Sequence, residues 1–136
     1  MVQFAKLKAL VVDDNPHIRE LMRNLLMSVQ MEVRDAGDGV SALEILGYWK
    51  PDIIFVDYEM TPMDGAALTR RIRGNDAWGG KRVPVLMLTG HADKQHVVMA
   101  RDAGVDGLIS KPISVGAIFS RMTSVLEAKA GKTSKT

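Results

Sequence analysis

The 136-residue sequence predicts an α/β fold, a single domain built on a five-stranded parallel sheet with helices on both faces. Three observations lead there. Short apolar or β-branched runs alternate five times with longer segments of helical periodicity. The middle runs, residues 53–56 and 83–88, are apolar throughout, as strands covered on both faces are. The composition, 46% hydrophobic and 25% charged, is that of an ordinary globular chain, and this length supports one substantial core.

Taken in order, Leu7 to Val12 is the first strand and closes on Asp13-Asp14. Asn15 caps and Pro16 opens a helix, with Ile18, Leu21, Met22, Leu25, Leu26 and Val29 on its inner face. Met31 to Asp35 is the second strand. Gly37-Asp38-Gly39 then turns into a helix from Val40 to Tyr48, with Val40, Leu43 and Leu46 inward, which Pro51 ends. Ile53 to Val56 is the third strand, closing on Asp57. Asp64-Gly65 starts a third helix carrying Leu68 and Ile72, and residues 74–80 read as loop. Val83 to Leu88 is the fourth strand, with Pro84 near enough to its start to be tolerated, and it closes on Thr89-Gly90. The helix from Asp93 to Ala103 has a weak apolar face, chiefly Val97 and Ala100, and Gly104 stops it. Val105 to Ser110 is the fifth strand, closing on Lys111-Pro112. The last helix carries Val115, Ile118, Phe119, Met122, Val125 and Leu126. The domain is expected to span 1–128, leaving 129–136 as a basic, disordered tail.

Several function classes drop out. A net charge of +2 is too slight an excess for a nucleic-acid binder. The absence of cysteine removes disulfide and thiolate chemistry. Nothing resembles a signal peptide or a membrane span, so no membrane contact and a cytoplasmic location are expected. His17, His91 and His96 lack metal-ligand spacing. Arg70, Arg71 and Arg73 read as a solvated helix face, and most of the nine methionines as core filler.

The informative fact is where the polar residues stand. Ligands of open parallel sheets bind at the carboxyl ends of strands, beside the switch point. Asp13 and Asp14 close the first strand, Asp57 the third, Thr89 the fourth and Lys111 the fifth. The order 2-1-3-4-5, borrowed from solved folds, makes the first and third strands neighbours and gathers all five residues in one crevice. Close carboxylates repel, and Mg²⁺, a hard ion that takes oxygen ligands, relieves the repulsion. An Asp carboxylate is a competent nucleophile toward a phosphoryl group. Lys111 offers a point charge and Thr89 a hydroxyl donor. Singly, each residue is ordinary turn chemistry; the joint placement is not.

The chain resembles the receiver domain of bacterial two-component response regulators from Lys8 to about Glu127, specifically the single-domain, chemotaxis-regulator type. The resemblance is carried by Leu10-Val-Val-Asp-Asp14, Ile53-Ile-Phe-Val-Asp57, Met63-Asp-Gly65, Leu86-Met-Leu-Thr-Gly90, Ala103-Gly104 and Lys111-Pro112. It implies the flavodoxin-like receiver fold and phosphorylation of Asp57 by a sensor histidine kinase or histidine phosphotransfer protein. It implies Mg²⁺ bound by Asp14, Asp57 and the main-chain carbonyl of Glu59, with Asp13 acting through water. Thr89 becomes the switch hydroxyl and Lys111 the phosphoryl contact, its bond to Pro112 usually cis. Output is then protein contact or phosphorelay through the face of the fourth helix, fifth strand and fifth helix, with no enzyme turnover. Two departures stand out. The family commonly has Tyr or Phe where Leu108 stands, so no swinging ring there reports phosphorylation, and Thr89 with its loop must carry more of the switch. The usual Pro after Met60 is displaced to Pro62 by Thr61. Glu59 and His91 occupy positions that tune dephosphorylation in the family.

Three alternatives compete. Asp57-Tyr-Glu-Met-Thr61 faintly echoes the Asp-x-Asp-x-Thr motif of haloacid-dehalogenase phosphatases, but its second acid is Glu and the chain is short for that fold. A flavodoxin would not open its phosphate loop with Asp13-Asp14. The chain could also be a receiver cut from a longer regulator, although Met1 and the polar tail are those expected of a complete protein.

Overall fold

The computed structural model describes residues 3–134, with side chains for residues 3–130. In chain order the elements are β1 Lys8–Val12, α1 Pro16–Met27, β2 Glu32–Ala36, α2 Gly39–Tyr48, β3 Ile53–Asp57, α3 Gly65–Arg73, β4 Val85–Thr89, α4 Lys94–Ala103, β5 Gly107–Ser110 and α5 Val115–Ser134. All pairings are parallel and the order is β2-β1-β3-β4-β5, the α/β architecture the sequence predicts.

Alternate residues of a strand point to opposite faces, and that alternation divides the interior in two. Leu10, Val12, Ile54, Val56, Val85 and Met87 pack against α2, α3 and α4 through Ala42, Leu46, Leu68, Ile72, Ala100 and Ala103. Ala9, Val11, Ile53, Phe55, Leu86, Leu88 and Ile109 pack against α1 and α5 through Met22, Leu26, Ile118, Met122 and Leu126. β3 and β4 are buried along their whole length.

Helix starts follow local chemistry. Asn15 accepts from the His17 N–H, with Pro16 in the first turn of α1. Asp38 caps α2 through the Ser41 N–H, and Asp64 caps α3 through the Ala67 N–H. Gly104 stops α4 in the left-handed region at φ 101°, a conformation that suits glycine.

Several expectations need correction. Leu21, Val40 and Val115 are exposed by 48, 59 and 56%. At about 100° per residue, Leu21 lies roughly a quarter turn from the Met22–Leu26 stripe, and Val40 still further from Ala42 and Leu46. Val115 shares the angular face of Ile118 but is the first residue of its helix. Residues 74–80 are not plain loop: Asn75 accepts from the Ala77 N–H and caps a 3₁₀ turn at Asp76–Trp78. Arg73 is not a solvated residue; its side chain is 13% exposed. The backbone of α5 runs to Ser134, through six residues expected to be unstructured. Ala128, Lys129 and Ala130 are good helix formers and no proline intervenes. Positions 135–136 lie outside the described residues. No helix among those described is long and apolar enough to cross a membrane.

Candidate functional site: an acidic pocket at the ends of β1 and β3

Register brings the polar residues level. Val12 is opposite Val56, so Asp13 and Asp57 emerge side by side from neighbouring strands. Asp57 is opposite Leu88, and Thr89 opposite Ser110, which sets Thr89 and Lys111 at the same edge. One carboxylate oxygen from each of Asp13, Asp14 and Asp57 lies within 4.8 Å of the others. Asp13 and Asp57 are buried and Asp14 is exposed, so the cluster has one open side. The Lys111 Nζ stands 2.7 Å from Asp57 Oδ1. That oxygen has no hydrogen bond of proper direction, so the contact is one of charge. Both Lys111–Pro112 and Thr61–Pro62 are cis peptide bonds.

Burial dominates the electrostatics. It pushes the Asp13 carboxyl up to about 6, against the pull of the Asn15 N–H and with a further push from the charge of Asp57. Burial also raises Asp57, outweighing the Lys111 ammonium. For Lys111 burial acts downward, but the Asp57 carboxylate prevails and the pKa rises. The pocket is short of positive charge.

The donor set suits a hard divalent cation. Asp13 Oδ2 is buried without a hydrogen-bond partner, an unfavourable state that a ligated ion or its water would end. Oxygen donors alone, with an open side, match the preference of Mg²⁺ for a few carboxylates and retained waters.

Thr89 is 2% exposed, and its hydroxyl is engaged outside the acidic cluster. It accepts from the His91 N–H at 2.9 Å and donates to the His91 carbonyl at 3.2 Å. The Glu59 side chain lies at the rim, its Oε1 3.7 Å from His91 Nε2.

The structure adds contacts that sequence reasoning missed. Arg19 donates to the main-chain carbonyl of Asp13 at 2.6 Å and to Asp35 at 3.0 Å, tying the acidic loop to α1 and β2. Tyr58, His91 and His96 form a ring cluster beside the pocket. The position of Arg19, four residues after the helix cap, was the only available signal; the rings meet through tertiary packing that spacing does not encode.

Comparison with known proteins matches this geometry to a family. Residues 9–123 match the family model described as the response regulator receiver domain. The chain is 32% identical over 122 residues to the chemotaxis protein CheY-3 of Vibrio cholerae, covering 89% of this chain and 92% of that one. It is 34% identical over 119 residues to the response regulator MprA of Mycobacterium tuberculosis, covering 88% of this chain and 50% of that longer protein. The structure of Vibrio cholerae CheY4 superposes with a TM-score of 0.83 at 28% identity, covering 89% of this chain and 99% of that one.

Proposed function

The chain belongs to the response regulator receiver domain family, and from that premise we propose that Asp57 is a phosphoacceptor working with Mg²⁺ in this acidic pocket. The observation that carries the reading is the 2.7 Å approach of the Lys111 ammonium to a buried Asp57 carboxylate, beside two further acids. An Asp57 oxygen attacks phosphorus, the bond from phosphorus to the donor breaks, and the leaving group departs with its electron pair. Lys111 draws up to the transferred oxygens, and Thr89 donates its hydroxyl to one of them. Asp14, Asp57 and the Glu59 carbonyl are the ligands this reading gives to Mg²⁺, with Asp13 reaching it through water. The ion supplies charge neutralisation of the phosphoryl oxygens when bound.

Members of this family receive phosphoryl groups from histidine kinases and act on downstream targets, and the chain is read accordingly as a cytoplasmic signalling protein rather than a turnover enzyme. Its donor is a histidine kinase or phosphotransfer protein. Its output surface is the α4-β5-α5 face, where a cavity of about 430 Å³ is lined by Val97, Ala100, Arg101, Leu108 and Arg121. Neither nucleic acid nor membrane is a partner. Phosphorylation adds roughly −1.5 to −2 charge and biases an existing equilibrium between two surfaces. The reading of residues 1–128 as the signalling domain is part of the same proposal.

Incubation with acetyl phosphate and Mg²⁺ tests it. Intact-mass analysis should show one added phosphoryl group, lost in Asp57→Asn and in excess chelator. Labelling that persists in Asp57→Asn refutes the assignment.

A further inference from the structure

The family's usual aromatic on β5 is absent at Leu108, yet rings do bridge the pocket and α4 from the other side. Tyr58 follows Asp57 directly and is tied to β4 by its N–H donating to the Leu88 carbonyl at 2.9 Å. Its ring meets that of His96 edge-on, centroids 5.6 Å apart at 86°. Its hydroxyl reaches Met99 Sδ at 3.8 Å. His96 and Met99 are one turn apart on α4, so Tyr58 lies against two successive turns of that helix. His96 is itself fixed by Asp93, Nδ1 to Oδ1 2.5 Å. On its other side it stacks on His91, centroids 5.1 Å apart at 22°.

We infer that the His91–His96 stack, braced by Tyr58, carries a change at the Thr89 hydroxyl into α4. The hydroxyl has one proton. At present it is donated to the His91 carbonyl; donated to a phosphoryl oxygen on Asp57, it is no longer available to His91. The loop holding His91 then loses one of its two ties to Thr89, and the ring that moves with it is the one packed on His96. Glu59, 3.7 Å from His91 Nε2, and Asp93 are the charged groups flanking the stack. A chain without an aromatic at 108 thus has a second route from pocket to output helix. The inference rests on the proposed phosphorylation of Asp57.

The test is a two-dimensional amide NMR comparison of the full chain with and without Mg²⁺ and beryllofluoride. In the unaltered protein the amides of Tyr58 and Lys111 should shift, and so should those of α4. In His96→Ala, a substitution at a residue only partly buried, the pocket amides should shift as before while the α4 response falls to less than half. His96→Phe, which keeps a ring for both neighbours, should restore it. A full α4 response in His96→Ala, or a His96→Phe protein that behaves like His96→Ala, overturns the relay and leaves the pocket reading intact. Absence of pocket shifts in the unaltered protein overturns the reading itself.

Discussion

Lys111 and Asp57 face each other at 2.7 Å although their strands are separated by β4. The ammonium is the only cation touching the three-carboxylate cluster among the described residues. Lys111→Ala therefore leaves a nearly buried carboxylate opposed only by other acids. Because the lysine is 28% exposed, water screens part of the effect, and a loss of about 1 kcal/mol is expected at neutral pH without Mg²⁺. Chemical denaturation measures this, and acetyl-phosphate labelling should slow in parallel.

Asp13 gives a prediction of opposite sign. A carboxyl whose folded pKa is raised to about 6 stabilises the fold fully below its unfolded value near 3.8 and loses that contribution as pH rises through 6. Without Mg²⁺, Asp13→Asn should be more stable than the parent above pH 6, by about 3 kcal/mol, and the difference should vanish near pH 4. Mg²⁺ should raise the melting temperature of the parent more than that of the variant. Equal melting curves at pH 7.5 in chelator would refute the burial argument.

Gly65 is required by close approach rather than by backbone angle. A Cβ there would lie 2.5 Å from the main-chain oxygen of Asp57, backbone that cannot swing aside. Gly65→Ala should cost about 1–3 kcal/mol, displace the end of β3, and reduce labelling of Asp57 more than an equally destabilising change elsewhere.

Arg73 carries a structural prediction. It donates to the carbonyls of Gly104, Gly80 and Val83 and to Asp106, whose Oδ2 also accepts from the Val85 N–H. Arg73→Ala orphans several acceptors and should destabilise by about 2–4 kcal/mol. Arg73→Lys recovers little, since an ammonium cannot span the same fork. Urea titration of both variants is the check.

The sequence was most legible where one residue type meets one backbone demand. Asn15-Pro16, Asp64-Gly65 and Gly104 marked helix ends correctly, and the apolar run before Asp57 marked a buried strand. The strand-end positions of Asp13, Asp14, Asp57 and Lys111 were enough to bring them together, because parallel register converts position in a strand into depth in the sheet. What escaped depended on side chains from distant segments. Arg73 was read as solvated because its acceptors lie 7 to 33 residues away. Leu21 and Val40 were placed inward because apolar character alone does not fix angular phase. The ring cluster of Tyr58, His91 and His96 left no periodic trace at all.

One consequence follows from how α4 is held. Its buried residues are Ala100 and Ala103, two methyl groups, each worth about 0.8 kcal/mol when removed from water, where α5 sets Ile118, Met122 and Leu126 into the opposite face. The grip on α4 is therefore slight beside the chemistry at the far end of β3. Slow-exchanging amides should be found in β3, β4 and α5, and α4 should open first, so that this domain is stiff around its acidic pocket and compliant along α4.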